Sequence, residues 1–386
     1  MSIKSTLAIL IIILAFIATP VFIPSSYALA DGYVAAEEDS AVTAENKPLI
    51  IRPGEEVKFK VEGKTFIPPQ PKTFGKIVDR VAQLIDTSCQ ACEMGKIMIA
   101  DQDDNVWFLI TREDKVVKIE PDTLQMTEYT LPLGSAPYSI GIDSKGVLWL
   151  SAHGIEMLLE FDPKTQEVIS HAPPSHGFLV HVNVDKKSDT VYFAQPGANE
   201  IVSFHRDQGF TEFNIPTPQS GPARLDFDSE GNVWFAELYA NKLAKLVPAT
   251  KEFKEWSLPT KDGFPSYARV DQNGTVWVSQ PMADRIVKFK DEKFTEFVVP
   301  TKNSIVSTQL IDKEGNVWFT EGGWRGSAGG NKVGRLDPNT GKFEELEIPL
   351  SNAQPAGIVM TKGGDIWFQL SARGKIVRLK ALQEEI

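Results

Sequence analysis

Short runs in which apolar and polar residues alternate fill most of the chain, and one arrangement of these runs occurs seven times. Each copy carries an aromatic residue at the same point, and these repeat aromatics are Trp107, Trp149, Tyr192, Trp234, Trp277, Trp318 and Trp367. Successive repeat aromatics lie 41 to 49 residues apart. Alternation with period two predicts β-strands, and a repeat of roughly 40–45 residues with several short strands is typical of a β-propeller blade. The pattern therefore predicts an all-β fold, a seven-bladed β-propeller.

Each complete copy is predicted to hold four strands. In the fourth copy they are Arg224–Asp228, Asn232–Glu237, Asn241–Val247 and Phe253–Leu258, with a tight turn between the first two. A bulky aromatic residue at a fixed position of every sheet is expected to pack between neighbouring sheets. The repeat aromatics are therefore interpreted as core residues and not as ligand contacts.

The last copy is one strand short. Beyond Trp367, only Lys375–Leu379 can form a third strand before the sequence ends at Ile386. Val57–Val61, near the N-terminus, alternates with period two and is predicted to supply the missing strand. Pairing of the two chain ends would close the ring and remove an exposed sheet edge.

The first residues have the order of a secretory signal. Lys4 precedes an apolar run from Leu7 to Ala18, and small residues follow at Ala28–Ala30. This order predicts a signal peptide over residues 1–30 and a secreted or extracytoplasmic protein. The alternative is an uncleaved segment that anchors the protein to a membrane. Residues 31–48 are polar and acidic and are predicted to form a flexible leader.

Residues 49–94 are predicted to form an extension in front of the propeller, which would span residues 95–386. Apolar residues at helical spacing predict one short helix in this extension, and they are Ile77, Val78, Val81, Leu84 and Ile85. Cys89 and Cys92, the two cysteines of the chain, follow in a C-x-x-C pattern. In an exported protein this spacing favours a local disulfide, with a reactive redox pair as the alternative.

The charge of the chain limits its partners. A formal net charge of −11 argues against binding to nucleic acid, and against membrane binding beyond the signal segment. The same charge is compatible with binding of cations. We expect a monomer whose partner is a small molecule or a protein.

Candidate site residues gather where the first strand of each blade begins and the second strand ends, because both points lie on one face around the channel. The polar candidates there are Tyr138, His153, His181, Arg224, Glu237, Arg269 and Glu321. Glu237 and Glu321 could hold a divalent cation, magnesium or calcium. The alternative is that these groups satisfy strand ends and bind water.

One connection on this face is longer than its counterparts. Nine residues separate Glu321 from Asn331, and five of them are glycines. Trp324 and Arg325 lie within this insertion and could stack on a ligand or bind an anion. The insertion is interpreted as a lid or partner-contact loop, or else as a tolerated surface insertion.

Two repeated motifs carry a family resemblance. The run Gly-Asn-Val-Trp-Phe-x-Glu occurs at 231–237 and 315–321, and Asn-Lys-Val-Gly-Arg-Leu-Asp-Pro follows at 331–338. Together they resemble the virginiamycin B lyase (streptogramin lyase) family over about residues 95–380. The resemblance implies a seven-bladed propeller. For active members it also implies a magnesium-dependent elimination that opens a cyclic depsipeptide antibiotic.

The positions that carry this chemistry in active members are changed here. Those members have a histidine in the first strand of each of the last two blades, a glutamate two residues before the second histidine, and a glutamate four residues after the last repeat aromatic. The corresponding residues are Ser307, Ala356, Gln354 and Ser371. Serine and alanine cannot act as a base near neutral pH, and glutamine lacks the charge of a carboxylate. The resemblance therefore implies the scaffold without the antibiotic-cleaving site.

Three functions follow from these observations. The first is an exported propeller that binds a ligand or a protein, without streptogramin lyase activity. The second is a metal-dependent lyase or hydrolase with a non-standard site on the same face, built from Glu237, Glu321 and His153. The third is a redox role of the cysteine pair.

Overall fold

The computed structural model describes residues 56–89, 94–95, 97–322 and 330–381, with the backbone alone for 307–309. In these residues the secondary structure consists of 31 strands and two short 3-10 turns, Thr111–Glu113 and Pro281–Ala283. The predicted signal peptide and leader lie outside the described residues. Within the described part, no helix has the length and apolarity that a membrane crossing requires.

Four strands precede the repeats. They are β1 (Glu56–Lys60), β2 (Gly63–Phe66), β3 (Lys72–Ile77) and β4 (Arg80–Asp86).

The remaining strands form seven antiparallel groups, each following the chain. Group 1 comprises β5 (Ile99–Ala100), β6 (Val106–Ile110), β7 (Lys115–Ile119) and β8 (Met126–Thr130); group 2 comprises β9 (Pro137–Ile142), β10 (Leu148–Ala152), β11 (Met157–Asp162) and β12 (Glu167–His171). Group 3 comprises β13 (Val180–Asp185), β14 (Thr190–Gln195), β15 (Glu200–His205) and β16 (Gly209–Asn214); group 4 comprises β17 (Pro222–Phe227), β18 (Val233–Glu237), β19 (Lys242–Val247) and β20 (Glu252–Ser257). Group 5 comprises β21 (Tyr267–Val270), β22 (Val276–Gln280), β23 (Arg285–Lys290) and β24 (Lys293–Val298); group 6 comprises β25 (Val306–Ile311), β26 (Val317–Glu321), β27 (Lys332–Asp337) and β28 (Lys342–Glu347). Group 7 comprises β29 (Pro355–Met360), β30 (Ile366–Leu370) and β31 (Lys375–Leu379).

The first strands of the groups meet one another. Each first strand contacts the first strand of the next group, and β29 contacts β5. In groups 4 and 5 the contact includes a parallel bridge between Arg224 and Tyr267. The seven first strands therefore follow one another in a closed circle, which is the arrangement of the inner strands of a β-propeller.

The repeat aromatics lie in the core, as predicted. All seven are less than 9% exposed. In five groups the indole Nε1–H donates to the carboxylate of an aspartate six residues earlier, for example Trp318 to Asp312 at 2.8 Å. The same carboxylate accepts backbone N–H groups of the turn, such as that of Asn316 at 2.8 Å. These aspartates therefore fix the turn and the tryptophan together, and they are not available to a calcium ion.

Group 7 departs from this arrangement, and the departure gives a testable prediction. Thr361 occupies the aspartate position, and the fully buried Nε1–H of Trp367 has no partner among the described residues. A buried donor without a partner costs about 1–3 kcal/mol. We expect Thr361→Asp to raise the free energy of unfolding by about 1 kcal/mol in urea titrations followed by tryptophan fluorescence. Thr361→Val, which supplies no acceptor, is the control, and an equal gain in both variants would contradict the explanation.

Ring closure by an N-terminal strand is confirmed, but the predicted donor and the predicted helix are wrong. β4 pairs antiparallel with β31, with Ile85 opposite Ile376, and it is the fourth strand of group 7. Val57–Val61 instead contributes β1, which pairs with β12 at the edge of group 2. β2 pairs with β8 at the edge of group 1, and β3 adds a fifth strand beside β4.

The spacing of apolar residues in β4 misled the helix prediction because both faces of this strand are covered. Ile85 packs with Trp367 and Ile376, whereas Ala82 and Leu84 belong to a second cluster on the group 6 side. A strand with both faces covered loses its period of two, so its apolar run cannot be told from a helical one.

Candidate functional site

A small cavity lies where the circle of first strands encloses space. Its volume is about 50 Å³, and its lining comes from five groups: Ile97, Met98, Ile99, Ile140, His181, Val182, Asn183, Tyr267, Arg269, Gly357 and Ile358. This volume has room for roughly four water molecules. We call it the axial cavity.

His181 is held in one protonation form at this cavity. The N–H of Leu225 donates to His181 Nδ1 at 3.1 Å, so the ring proton is on Nε2. Burial, followed by the charges of Arg224 and Arg269, holds the pKa of His181 well below its usual range. The residue has a φ of +51°, which is uncommon for histidine and coincides with a bulge between β13 and β14. His181 is therefore a neutral hydrogen-bond donor through Nε2–H.

Two arginines surround the ring of Tyr267 beside the cavity. The guanidinium carbons of Arg224 and Arg269 lie 5.3 and 5.7 Å from the centre of this ring. Arg269 Nη1 is 3.5 Å from Asp226 Oδ2, and this carboxylate also accepts the N–H of Val270 at 3.0 Å. Within the described residues, no carboxylate pairs with Arg224, which is only 9% exposed. The cluster thus holds two guanidinium groups and one carboxylate.

A second polar pair lies in group 2. The rings of Tyr138 and His153 stack with centres 4.3 Å apart and planes at 17°. His153 Nε2 contacts the carbonyl oxygen of Leu179, and burial lowers the pKa of this histidine to about 4. His153 is therefore neutral at pH 7, and its Nε2–H is committed to the backbone.

Glu237 lies in a cluster with Lys242 and Glu255 of group 4 and Thr217 of the connection that precedes it. It is fully buried and lies beside Glu255, whose Oε2 accepts from Lys242 Nζ at 2.7 Å and from Thr217 Oγ1 at 2.6 Å. Burial, followed by the charge of Glu255, raises the pKa of Glu237 to about 8. At neutral pH Glu237 is therefore a neutral acid whose O–H can donate to Glu255.

Glu321 has the same surroundings in group 6. Lys332 Nζ donates to Glu345 Oε2 at 2.9 Å and to Thr301 Oγ1 at 2.7 Å. Burial, followed by the charge of Glu345, raises the pKa of Glu321 to about 8. Two copies of one arrangement therefore occur at equivalent points of the repeat, and a lysine already neutralises each.

The structure groups the predicted site residues in a way that the sequence did not show. It brings His181, Arg224 and Arg269 together, and it pairs Tyr138 with His153. It places Glu237 and Glu321 in separate clusters. No set of three or more histidine, cysteine, aspartate or glutamate side chains suited to a metal ion occurs within the described ranges.

The predicted disulfide and the predicted contact loop lie at the limits of the described residues. Cys89 is disulfide-bonded, while Cys92 lies outside the described residues. Trp324 and Arg325 of the loop also lie outside them.

The sequence did not single out Asn183, Asp226 and Tyr267. Each lies two positions from a predicted residue in the same first strand, and residues at i and i+2 share one face of a strand. Nor did it single out Lys242 and Glu255, or Lys332 and Glu345, which are their counterparts in group 6. A lysine that begins the third strand and a glutamate within the fourth strand recur in both groups, and this recurrence could have indicated the clusters.

Of the four positions that the resemblance aligns with the family's catalytic set, three belong to group 7 and Ser307 belongs to β25 of group 6. Ser371 N–H and Oγ–H both donate to the carbonyl oxygen of Gln354, at 3.1 and 2.8 Å. Ala356 and Ser371 are 3% and 2% exposed. A methyl group, a hydroxyl that already donates to a carbonyl and an uncharged amide do not fit a magnesium ion, which prefers carboxylate ligands. The side chain of Ser307 is outside the described part.

The sequence matches the model of the virginiamycin B lyase family over residues 78–265 and 185–385. The chain belongs to the virginiamycin B lyase family. No match was found among curated protein sequences.

Solved structures of the virginiamycin B lyase family share this fold. A streptogramin B lyase aligns with a TM-score of 0.71 and 22% identity, covering 78% of this chain and 97% of that one. A catalytically inactive histidine-to-alanine variant of virginiamycin B lyase from Staphylococcus aureus, with quinupristin, aligns with a TM-score of 0.71 and 23% identity, covering 78% and 99%. The extracellular domain of a one-component system from B. thetaiotaomicron aligns with a TM-score of 0.58 and 14% identity, covering 81% and 46%. At these identities the likeness shows the β-propeller fold alone.

Proposed function

We propose that this protein is an extracytoplasmic, seven-bladed member of the virginiamycin B lyase family that binds a small molecule or a protein and does not carry out streptogramin elimination. Each of the seven strand groups would be one blade, and the closed circle of first strands supports this count. The protein would act as a monomer. The signal-like order of residues 1–30 and the extracellular domain among the fold neighbours support the location.

One observation carries the loss of lyase chemistry. Ser371 donates to the backbone carbonyl of Gln354, and Ala356 lies two residues further along, but none of the three side chains can accept a proton from carbon at neutral pH. In the S. aureus relative, a histidine-to-alanine replacement gives a catalytically inactive protein. The present chain has lost more than one such group.

The geometry does not favour the metal-dependent alternative built on Glu237, Glu321 and His153. Each glutamate lies beside a glutamate and a lysine of its own group, and its raised pKa leaves it protonated near pH 7. A protonated carboxyl is a poor ligand for magnesium or calcium. His153 is occupied by the carbonyl of Leu179.

The proposed function predicts that mature protein, residues 31–386, leaves streptogramin B intact. Purified protein would be incubated with the antibiotic and excess magnesium, and linear product would be quantified by liquid chromatography and mass spectrometry. An active lyase of the family is the positive control. We expect a product yield equal to that without protein, because Gln354, Ala356 and Ser371 cannot take the α-proton. Linear product that increases with the amount of protein would contradict the proposal.

A further inference from the structure

We propose that the axial cavity binds a small monovalent oxyanion of carboxylate type, held by Arg269 and His181 with Arg224 as a second positive charge. The cavity borders group 7 through Gly357 and Ile358, but the side chains proposed to hold the anion belong to groups 3, 4 and 5. This anion site deepens the proposed binding function by assigning a ligand class to one site. The assignment would stand even if the protein retained lyase activity.

The lining of the cavity presents donors and no free carboxylate. Arg269 lines it with a side chain that is 28% exposed. The Nε2–H of His181 has no partner among the described contacts, since Nδ1 is the atom that accepts from Leu225. The Asn183 amide donates to Asp226 Oδ1 at 3.3 Å and to the carbonyl of Leu225 at 3.4 Å. The donors on offer are therefore the Nε2–H of His181 and the guanidinium of Arg269, and a concave space lined by such donors and by no aspartate or glutamate is suited to an anion.

The charge balance of the first strands indicates the charge of the ligand. The charged residues of the seven first strands are Arg224, Arg269, Asp185 and Asp226. Asp185 serves the turn after its strand, where it accepts from the N–H of Lys187 at 3.1 Å and from Ser188 Oγ at 2.7 Å. Beside the cavity, two guanidinium groups therefore face one carboxylate, Asp226. One surplus positive charge in a poorly solvated place is neutralised by a monoanion, whereas a dianion would leave a negative charge uncompensated.

The unpaired arginine supports the same conclusion. Arg224 is nearly buried, and among the described residues its side chain has one polar contact, a cation–π contact with the ring of Tyr267. A buried guanidinium is costly unless an anion compensates it. Arg224 does not line the cavity itself, so it acts as a nearby charge, and Arg269 supplies the direct hydrogen bonds.

The volume sets an upper limit on the bound group. About 50 Å³ has room for a carboxylate or a nitrate with a water molecule, and not for a ring or a longer chain. The anion is therefore either free in solution or the terminal carboxylate of a larger ligand that remains outside the cavity. The shared chemistry is a planar, singly charged oxyanion.

Calorimetric titration of the mature protein tests this site at constant ionic strength in a buffer with a bulky anion. We expect sodium acetate to bind with one-to-one stoichiometry and sodium sulfate to bind more weakly. Arg269→Gln is expected to weaken acetate binding at least about tenfold, because a charge-assisted hydrogen bond is lost. Arg224→Gln should give a smaller loss. The control is Arg335→Gln. Arg335 lies on the third strand of group 6, away from the cavity, and its Nη1 is 3.8 Å from Glu344 Oε2.

Two further measurements identify the source of the anion and allow for a variant that does not fold. N-acetyl-diglycine and its amide would be compared: binding of the acid alone shows that the cavity accepts the end of a larger ligand, and binding of acetate alone shows that it accepts a free ion. If Arg269→Gln unfolds, Arg269→Lys retains the charge and removes the planar fork, and weaker acetate binding is again expected. No saturable acetate binding by the wild type, equal binding by the Arg269 variants, or tighter binding of sulfate would overturn the proposal. The lyase assay is independent of each of these results.

Discussion

Ile85→Pro is expected to destabilise the whole ring, and far more than a proline in the other added strands. Ile85 is fully buried and lies opposite Ile376 of β31, and β3 pairs with the other edge of β4 as far as Leu84. Proline removes a backbone donor and clashes within a central strand. Loss of the buried isoleucine side chain costs a further 2–5 kcal/mol, about as much as in Ile→Ala. We expect several kcal/mol in total, and a protein that is partly unfolded at 37 °C.

Lys58→Pro is the matched control for ring closure. Lys58 is exposed in β1, which pairs on one edge only, with β12. Its proline variant should lose about 1 kcal/mol or less, because an edge strand tolerates a missing donor. Ile85→Ala separates the side-chain contribution from the backbone contribution. Thermal unfolding followed by circular dichroism compares the three variants. Equal melting temperatures for Ile85→Pro and Lys58→Pro would show that β4 does not close the ring.

The second large effect concerns the pH dependence of stability. The folded-state pKa values of Glu237 and Glu321 are about 8, well above the value of 4.5 for an ordinary glutamate. Below pH 4.5 both the folded and the unfolded states hold these protons. Between pH 4.5 and about 8 the folded state keeps protons that the unfolded state loses, so stability falls as pH rises. The loss is on the order of 4 kcal/mol for each group, since one pKa unit corresponds to about 1.4 kcal/mol.

Replacing both glutamates by glutamine should remove their contribution to the pH dependence. The lowered pKa values of His153 and His181 add a rise in stability with increasing pH below about pH 6.5 that wild type and variant share, so the measured quantity is the difference between the two proteins at each pH. The double variant Glu237→Gln with Glu321→Gln is expected to be more stable than the wild type at pH 8 by several kcal/mol, and similar to it near pH 4.5. The chain already shows that an amide fits: Gln280 occupies the equivalent position in group 5, donating to Asn241 Oδ1 at 3.2 Å and to the carbonyl of Thr260 at 3.0 Å. Glu314→Gln, in an exposed turn, is the control.

Urea unfolding at pH 5, 6.5 and 8 measures this effect. Glu255 does not titrate between pH 5 and 8. Burial raises its pKa, but hydrogen bonds from Lys242 and Thr217 outweigh burial and leave the pKa below 4.5. The stability that Glu255 contributes is therefore lost only as pH falls below 4.5. A double variant that retained the wild-type slope between pH 5 and 8 would show that these two carboxyls are not the groups that bind the extra protons.

The repeat made most of the fold predictable, and the exceptions have physical causes. Each repeat aromatic packs against the following group, as Trp149 does with Val184 and Phe204 of group 3. The constant period of the repeat was therefore sufficient to place these residues in the core. The partner of β31 could not be derived in this way, because the pairing of Ile376 with Ile85 joins residues about three quarters of the chain apart. Burial on both faces of β4 also hid its strand pattern.

The site was predictable as a set of residue types but not as clusters. His181, Arg224 and Arg269 were selected because they are polar residues in first strands, and they meet because strands of groups 3, 4 and 5 are neighbours. Glu237 and Glu321 were expected to share an ion, yet each faces a fourth-strand glutamate of its own group. Period-two alternation assigns a side chain to a face of a strand, but it does not state which neighbouring strand lies opposite.

The central claim is that this member of the family lacks the acid and base groups that elimination requires. Deuterium exchange at the α-carbon of streptogramin B tests this claim most directly. Elimination begins with removal of this proton, so a base would reveal itself in D₂O even if the ester oxygen never left. The antibiotic would be incubated with mature protein and magnesium in D₂O and analysed by mass spectrometry, beside an active family lyase. The account predicts deuterium incorporation and ring opening equal to those without protein. Incorporation that increases with the protein concentration would contradict it.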